Sequence, residues 1–184
     1  MPTRHSSNTT ELKRFCALYD AEQWPRAEKL LRRMLVREPQ SGWLWSRLSS
    51  VVYEQHRYRE ALTFAKKALR LQPTDPLFRW DYAGALWALG RFEEAASEYR
   101  RLIRRGPALA GTVDCGEGVR WASELINDCR FCLAECHDAL GKRRLAARWF
   151  REYMEQRRAG VRGCLTIREA QARMRQGGSR GSRD

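Results

Sequence analysis

The chain has 184 residues, 43% hydrophobic and 31% charged, with a mean hydropathy of −0.67. That is enough for one domain or one compact repeat array, and no apolar run reaches the roughly 20 residues that cross a bilayer. Lys and Arg total 35 against 22 Asp and Glu, a formal net charge of +13.

Only Lys13, Lys29, Lys66, Lys67 and Lys142 are lysines, so the basic excess is arginine. Two origins fit it: an anionic partner such as nucleic acid, or the composition of a GC-rich genome. Met1 to Asp20 mixes polar and basic residues without the apolar stretch of a secretory signal, so a cytoplasmic setting is expected. Residues 1–7 read as a flexible N-terminus. Asn8 to Glu11 has the form of a capping box opening a helix over about Thr9 to Tyr19. A second helix follows, with Trp24, Ala27 and Leu31 in phase and Pro39 at its end.

Over Trp43 to Gln55, Trp45, Leu48 and Val52 recur at three- and four-residue steps, the helical spacing. A turn is expected at His56–Arg57. The next helix, Tyr58 to Leu71, carries Ala61, Leu62, Ala65, Ala68 and Leu69 on one face, and Pro73 stops it. This pattern repeats. Pro39, Pro73 and Pro107 lie 34 residues apart, as do Ala27, Ala61 and Ala95, Trp24, Tyr58 and Phe92, and Leu35, Leu69 and Ile103. Four columns in phase at one period mark a repeat array.

A fourth unit emerges after a step of 51 residues, 34 plus an insertion of 17, which sets Leu133, Gly141, Ala146 and Phe150 under Tyr82, Gly90, Ala95 and Tyr99. The insertion, about 108–126, holds Gly111, Gly116 and Gly118 and reads as a loop followed by an extension of the next helix from near Val119. Gly160 supplies the last C-cap. Thr166 to Glu169 repeats the capping-box form, so residues 159–176 read as a capping helix region and 177–184 as a disordered basic tail. The repeats fall at about 8–41, 42–75, 76–107 and 127–158.

Trp45, Leu48, Tyr58, Ala61, Ala68 and Pro73 in the second unit, and Tyr82, Gly90, Phe92, Ala95, Tyr99 and Pro107 in the third, resemble the tetratricopeptide repeat family. The resemblance implies an all-α, right-handed solenoid of about four helix-turn-helix repeats with a C-terminal capping helix. It also implies a concave surface, lined by the first helix of each repeat, that receives a peptide or a partner's helix. Carried across, the groove positions are Leu12, Cys16 and Tyr19; Trp43, Ser46 and Tyr53; Trp80, Gly84 and Trp87; and Asp128, Phe131, Glu135 and Asp138. Ser50, Trp80 and Gly84 stand where carboxylate-gripping members carry lysine, arginine or asparagine, so a carboxylate clamp is not expected. The groove is instead aromatic, with acids at the fourth unit to select positive charge. Trp43, Tyr53, Trp80 and Trp87 line it unless the insertion or the C-terminal helix folds over them.

Cys129, Cys132 and Cys136 share one helical face, with His137 and Cys115 nearby as further donors. The same thiols fit as small packing groups, and the expectation is no metal and no cofactor. Arg32, Lys66, Arg100 and Arg151 form one basic column, and Arg33, Lys67 and Arg101 the next; a solvated helix face and a polyanion-binding stripe both fit it. No phosphate-binding glycine loop, zinc-protease motif or nucleophile elbow occurs, so no enzyme is expected. The expected function is that of a non-catalytic adaptor, scaffold or small chaperone binding a protein or peptide. The competing one is polyanion binding through the arginine-rich face and tail.

Overall fold

The computed structural model describes residues 4–110 and 118–179, and every regular element in them is a helix. The chain divides into two compact units, Met1–Pro73 and Thr74–Asp184.

The first unit contains α1 (Arg4–Asp20), α2 (Trp24–Arg37), α3 (Gly42–Glu54) and α4 (Tyr58–Leu71). Its core is built from small and branched residues. Ala27, Leu31, Leu48, Val51, Val52, Ala61, Ala65 and Ala68 are fully buried. The alanine face of α4 lets α3 approach closely, and Ser49 Oγ donates to the Ala61 carbonyl at 2.8 Å. Ser41 caps α3 by accepting the Leu44 N–H. α1 starts four residues ahead of the expected Asn8 cap. Asn8 therefore lies in helical backbone, where an N-cap cannot be, and the expectation of a loose segment through residue 7 fails from Arg4 onward.

The second unit contains α5 (Pro76–Ala88), α6 (Phe92–Ala110), α7 (Gly118–Ala139), α8 (Arg143–Arg158) and α9 (Ile167–Ser179). Asp75, 34 residues after Ser41, caps α5 by accepting the Leu77 and Phe78 N–H groups, and Pro76 occupies the first helical position. α6 is broken at Gly106 (φ 72°, ψ 162°), immediately before Pro107. Thr166 and Glu169 form the expected reciprocal capping box at the start of α9. α9 continues through Ser179, three residues into the expected tail, because consecutive glycines weaken a helix without forbidding it. The core of the insertion, Cys115, and the tail from residue 180 lie outside the described residues.

The turns joining paired helices share one geometry. The Gln23, Arg57, Arg91 and Lys142 N–H groups reach back five residues to the carbonyls of Leu18, Val52, Leu86 and His137. The preceding residues, Glu22, His56, Gly90 and Gly141, all have positive φ. This is the Schellman ending, and only its last two members carry glycine. Gly160 repeats it at the end of α8.

Candidate functional site

Trp80 and Trp87 lie seven residues apart on α5 and so share a face of the helix. Trp80 is half-buried, its ring set edge-on to Tyr99 of α6 at 5.4 Å. Trp87 is 38% exposed and leans on Phe92 at 6.5 Å; every other Phe, Tyr and Trp side chain among the described residues is less accessible. Gly84, between them, is half-exposed, and a Cβ there would meet only the Tyr99 hydroxyl, at 4.0 Å. The face is thus two indole rings flanking a stretch of bare backbone.

In the first unit the aromatic residues pack largely on one another. Trp43 stands edge-on to Phe15 at 5.8 Å, and Tyr19 meets Phe15 and Trp24. Arg47 lies 5.9 Å from the Trp43 ring, and Tyr53 pairs with Tyr58 at 5.1 Å. Trp43 and Tyr53 remain half-buried. Leu12 and Cys16 on α1 are exposed. Ser46 is fully buried, which removes it from the expected groove. α3 buries Leu44, Ser46, Leu48, Ser49, Val51 and Val52, an arc wider than one stripe, because it has helical neighbours on more than one side.

The acidic positions of the fourth unit are engaged by the C-terminal segment. Asp128 Oδ1 accepts the Cys164 N–H at 2.6 Å. Phe131 packs on Phe150 and Tyr153 and joins the cluster that includes Met174, so it is a packing residue here rather than a free groove residue. Glu135 faces Arg173 of α9 at 3.9 Å. The Tyr153 hydroxyl donates to the Leu165 carbonyl at 2.6 Å and accepts the Leu165 N–H at 2.9 Å. Gly163 fits against this pair only because it lacks a side chain: a Cβ would lie 2.6 Å from the Tyr153 hydroxyl. Asp138, in the last turn of α7, stays half-buried. The Asp128 and Tyr153 contacts span 36 and 12 residues and leave no local mark in the sequence.

Cys129 and Cys136 are buried and Cys132 is partly so. Burial pushes all three thiols up, Cys136 to about 12, and Cys132 shares a hydrogen bond with the Tyr99 hydroxyl. His137 is 5% exposed, and burial together with Arg100 and Lys142 pushes its pKa down. Among the described residues no three His, Cys, Asp or Glu side chains converge as a metal site would require.

The basic columns divide between the units. In the first, Arg32 pairs with Glu28 at 2.8 Å, Lys67 lies 5.1 Å from the Trp45 ring, and Lys66 is exposed. In the second, Arg101 pairs with Glu98 at 3.2 Å and Arg100 donates to the Ala96 carbonyl. Among the described residues no helix is long and apolar enough to cross a membrane.

Two sequence models described as tetratricopeptide repeat match residues 12–76 and 52–110, together more than half of the chain. A TPR repeat-containing thioredoxin of Arabidopsis thaliana, TTL4, is 39% identical over 61 residues, which is 33% of this chain and 9% of that protein. Among solved structures, MamA MSR-1 C2 superposes with a TM-score of 0.60 at 18% identity, covering 79% of this chain and 74% of that one. A tetratricopeptide repeat protein from Parabacteroides merdae ATCC 43184 gives 0.53 at 18% identity, covering 97% and 76%. These superpositions establish an all-α tetratricopeptide fold.

Proposed function

The chain belongs to the tetratricopeptide repeat family, and from that premise we propose that it is a non-catalytic protein-interaction module, an adaptor, scaffold or small chaperone, acting in the cytoplasm. The observation that carries the reading is the aromatic face of α5. Tryptophan is enriched among residues that dominate interface energies, because it buries a large area at small entropic cost. Trp87 is already 38% exposed, and Gly84 leaves the backbone beside it open to close approach. A partner peptide or helix with apolar anchors suits this surface. Trp43 and Tyr53 offer a second aromatic patch in the first unit, and Asp138 adds a preference for a basic residue. The acids nearer the C-terminal segment already have partners within the chain.

A nuclease-treated pull-down from native lysate, comparing wild type with Trp80→Ala/Trp87→Ala at moderate and high salt, tests the proposal. A protein retained at high salt by wild type and lost by the variant is the expected result. Retention by both contradicts the aromatic face. Recovery of nucleic acid alone, lost on nuclease treatment or at high salt, favours polyanion binding through Arg32, Lys66, Lys67, Arg100 and Arg101 instead.

A further inference from the structure

A cavity of about 420 Å³ in the first unit is lined by Arg14, Leu18, Arg26, Lys29, Leu30 and Arg33. Arg14 and Leu18 stand one turn apart on α1. Arg26, Lys29 and Arg33 step by three and four along α2 and so share a face of that helix. Leu30 is buried and Leu18 half-buried, while all four cations are exposed. The cavity therefore has an apolar floor beneath a basic rim.

The rim lacks the counter-charge that several other arginines of its unit have. Arg32 meets Glu28, Arg37 meets Glu11, and Arg57 meets both Glu28 and Glu60. Arg26 reaches only the neutral amide of Gln23, and Arg14, Lys29 and Arg33 have no carboxylate partner among the described residues. Four like charges around one concavity repel one another and focus a positive potential into it.

We propose that this cavity binds an acidic segment of a protein partner, whose apolar side chain covers Leu18 and Leu30 while flanking carboxylates pair with the four cations. The guanidinium fork matches a carboxylate in two parallel hydrogen bonds. A phosphodiester backbone would meet the cations but has nothing to place over the leucines, and no aromatic ring lines the cavity to stack a base. The site shares no residue with the aromatic face of α5, so it stands or falls by its own test.

The test is fluorescence anisotropy with the full chain and a labelled probe peptide, Glu-Glu-Leu-Glu-Glu-Leu-Glu-Glu, at near-physiological salt. An all-glutamate octapeptide and a single-stranded oligonucleotide serve as competitors. Arg14→Gln/Arg33→Gln removes two rim charges, and Arg59→Gln/Arg70→Gln removes the same charge elsewhere in the unit; far-UV circular dichroism confirms that both variants fold. The site predicts binding of the leucine-bearing probe, weakened about tenfold or more by the rim variant and little by the Arg59/Arg70 variant. It also predicts that the all-glutamate peptide competes several-fold less well than unlabelled probe. No binding of the probe, equal weakening by the two variants, or an oligonucleotide that displaces the probe more strongly than unlabelled probe does would each overturn the proposal.

Discussion

At the scale of single residues, the four helix-pair turns demand a left-handed residue, and the chain meets that demand unequally. Gly90 and Gly141 adopt φ of 73° and 69° without a Cβ to strain, whereas Glu22 and His56 hold φ of 52° and 59° with one. Glu22→Gly should therefore stabilise the protein by about 0.5–1 kcal/mol, and Gly90→Ala should cost about 1 kcal/mol. Urea denaturation reads both, and a Glu22→Gly midpoint at or below wild type would show that the turn is not strained. His56 is a poorer test, because its Nδ1 also bonds the Tyr58 hydroxyl at 2.8 Å. Glu28 yields a second prediction. Burial pushes its carboxyl up, but hydrogen bonds from Arg57, Gln55 and Arg32 outweigh burial and hold it below the usual glutamate range. A carboxylate depressed in the folded state adds stability above its unfolded value, about 4.3, and loses it as the pH falls through the folded value. Glu28→Gln should be about 1–2 kcal/mol less stable at neutral pH, with the gap closing as the pH falls below the usual glutamate range. A gap independent of pH would mean that packing, not charge, makes Glu28 matter.

At the scale of elements, the contact between α9 and the α7–α8 pair is the arrangement most sensitive to one added atom. The connecting segment 161–166 is held by the Asp128 bond to Cys164 and the two-way Tyr153 bond to Leu165, while Ala170 is fully buried below. Gly163 sits where a methyl group would collide with a fully buried tyrosine ring and a buried-side carboxylate oxygen. Gly163→Ala should cost about 1–3 kcal/mol, concentrated in this segment. Hydrogen exchange should quicken at residues 163–176 with protection in the first unit unchanged. Unaltered exchange there would show that the segment can shift without loss. Segment 161–166 and α9 thus take up the α7 positions that the repeat pattern assigned to a partner, which is why Asp128, Phe131 and Glu135 do not join the proposed binding face.

At the scale of the whole molecule, the helix pairs were readable because each rests on local signals: alanine on one face, an aromatic opening the second helix, proline beyond its end. The 34-residue columns locate these in the first three repeats, and the alanine column, carried on by a step of 51, reaches the fourth: Ala27, Ala61, Ala95 and Ala146 are all buried. What could not be read depends on position in space. Glu22 and His56 hide the shared turn because nothing in those residue types announces positive φ. Ser46 looks like a polar groove residue until the neighbours of α3 enclose it. The hold of Tyr153 and Asp128 on the C-terminal segment pairs side chains with distant backbone, which no spacing rule reports. The proposed binding face was legible only as chemistry: seven tryptophans in the chain, of which Trp87 stands most open. The most direct test of the account is calorimetric titration of a captured partner against Trp87→Ala and Val36→Ala, since Val36 is 83% exposed and stands outside the aromatic face. The account predicts a loss of about tenfold or more in affinity for Trp87→Ala and no more than about twofold for Val36→Ala. Equal affinities for wild type and Trp87→Ala would contradict it.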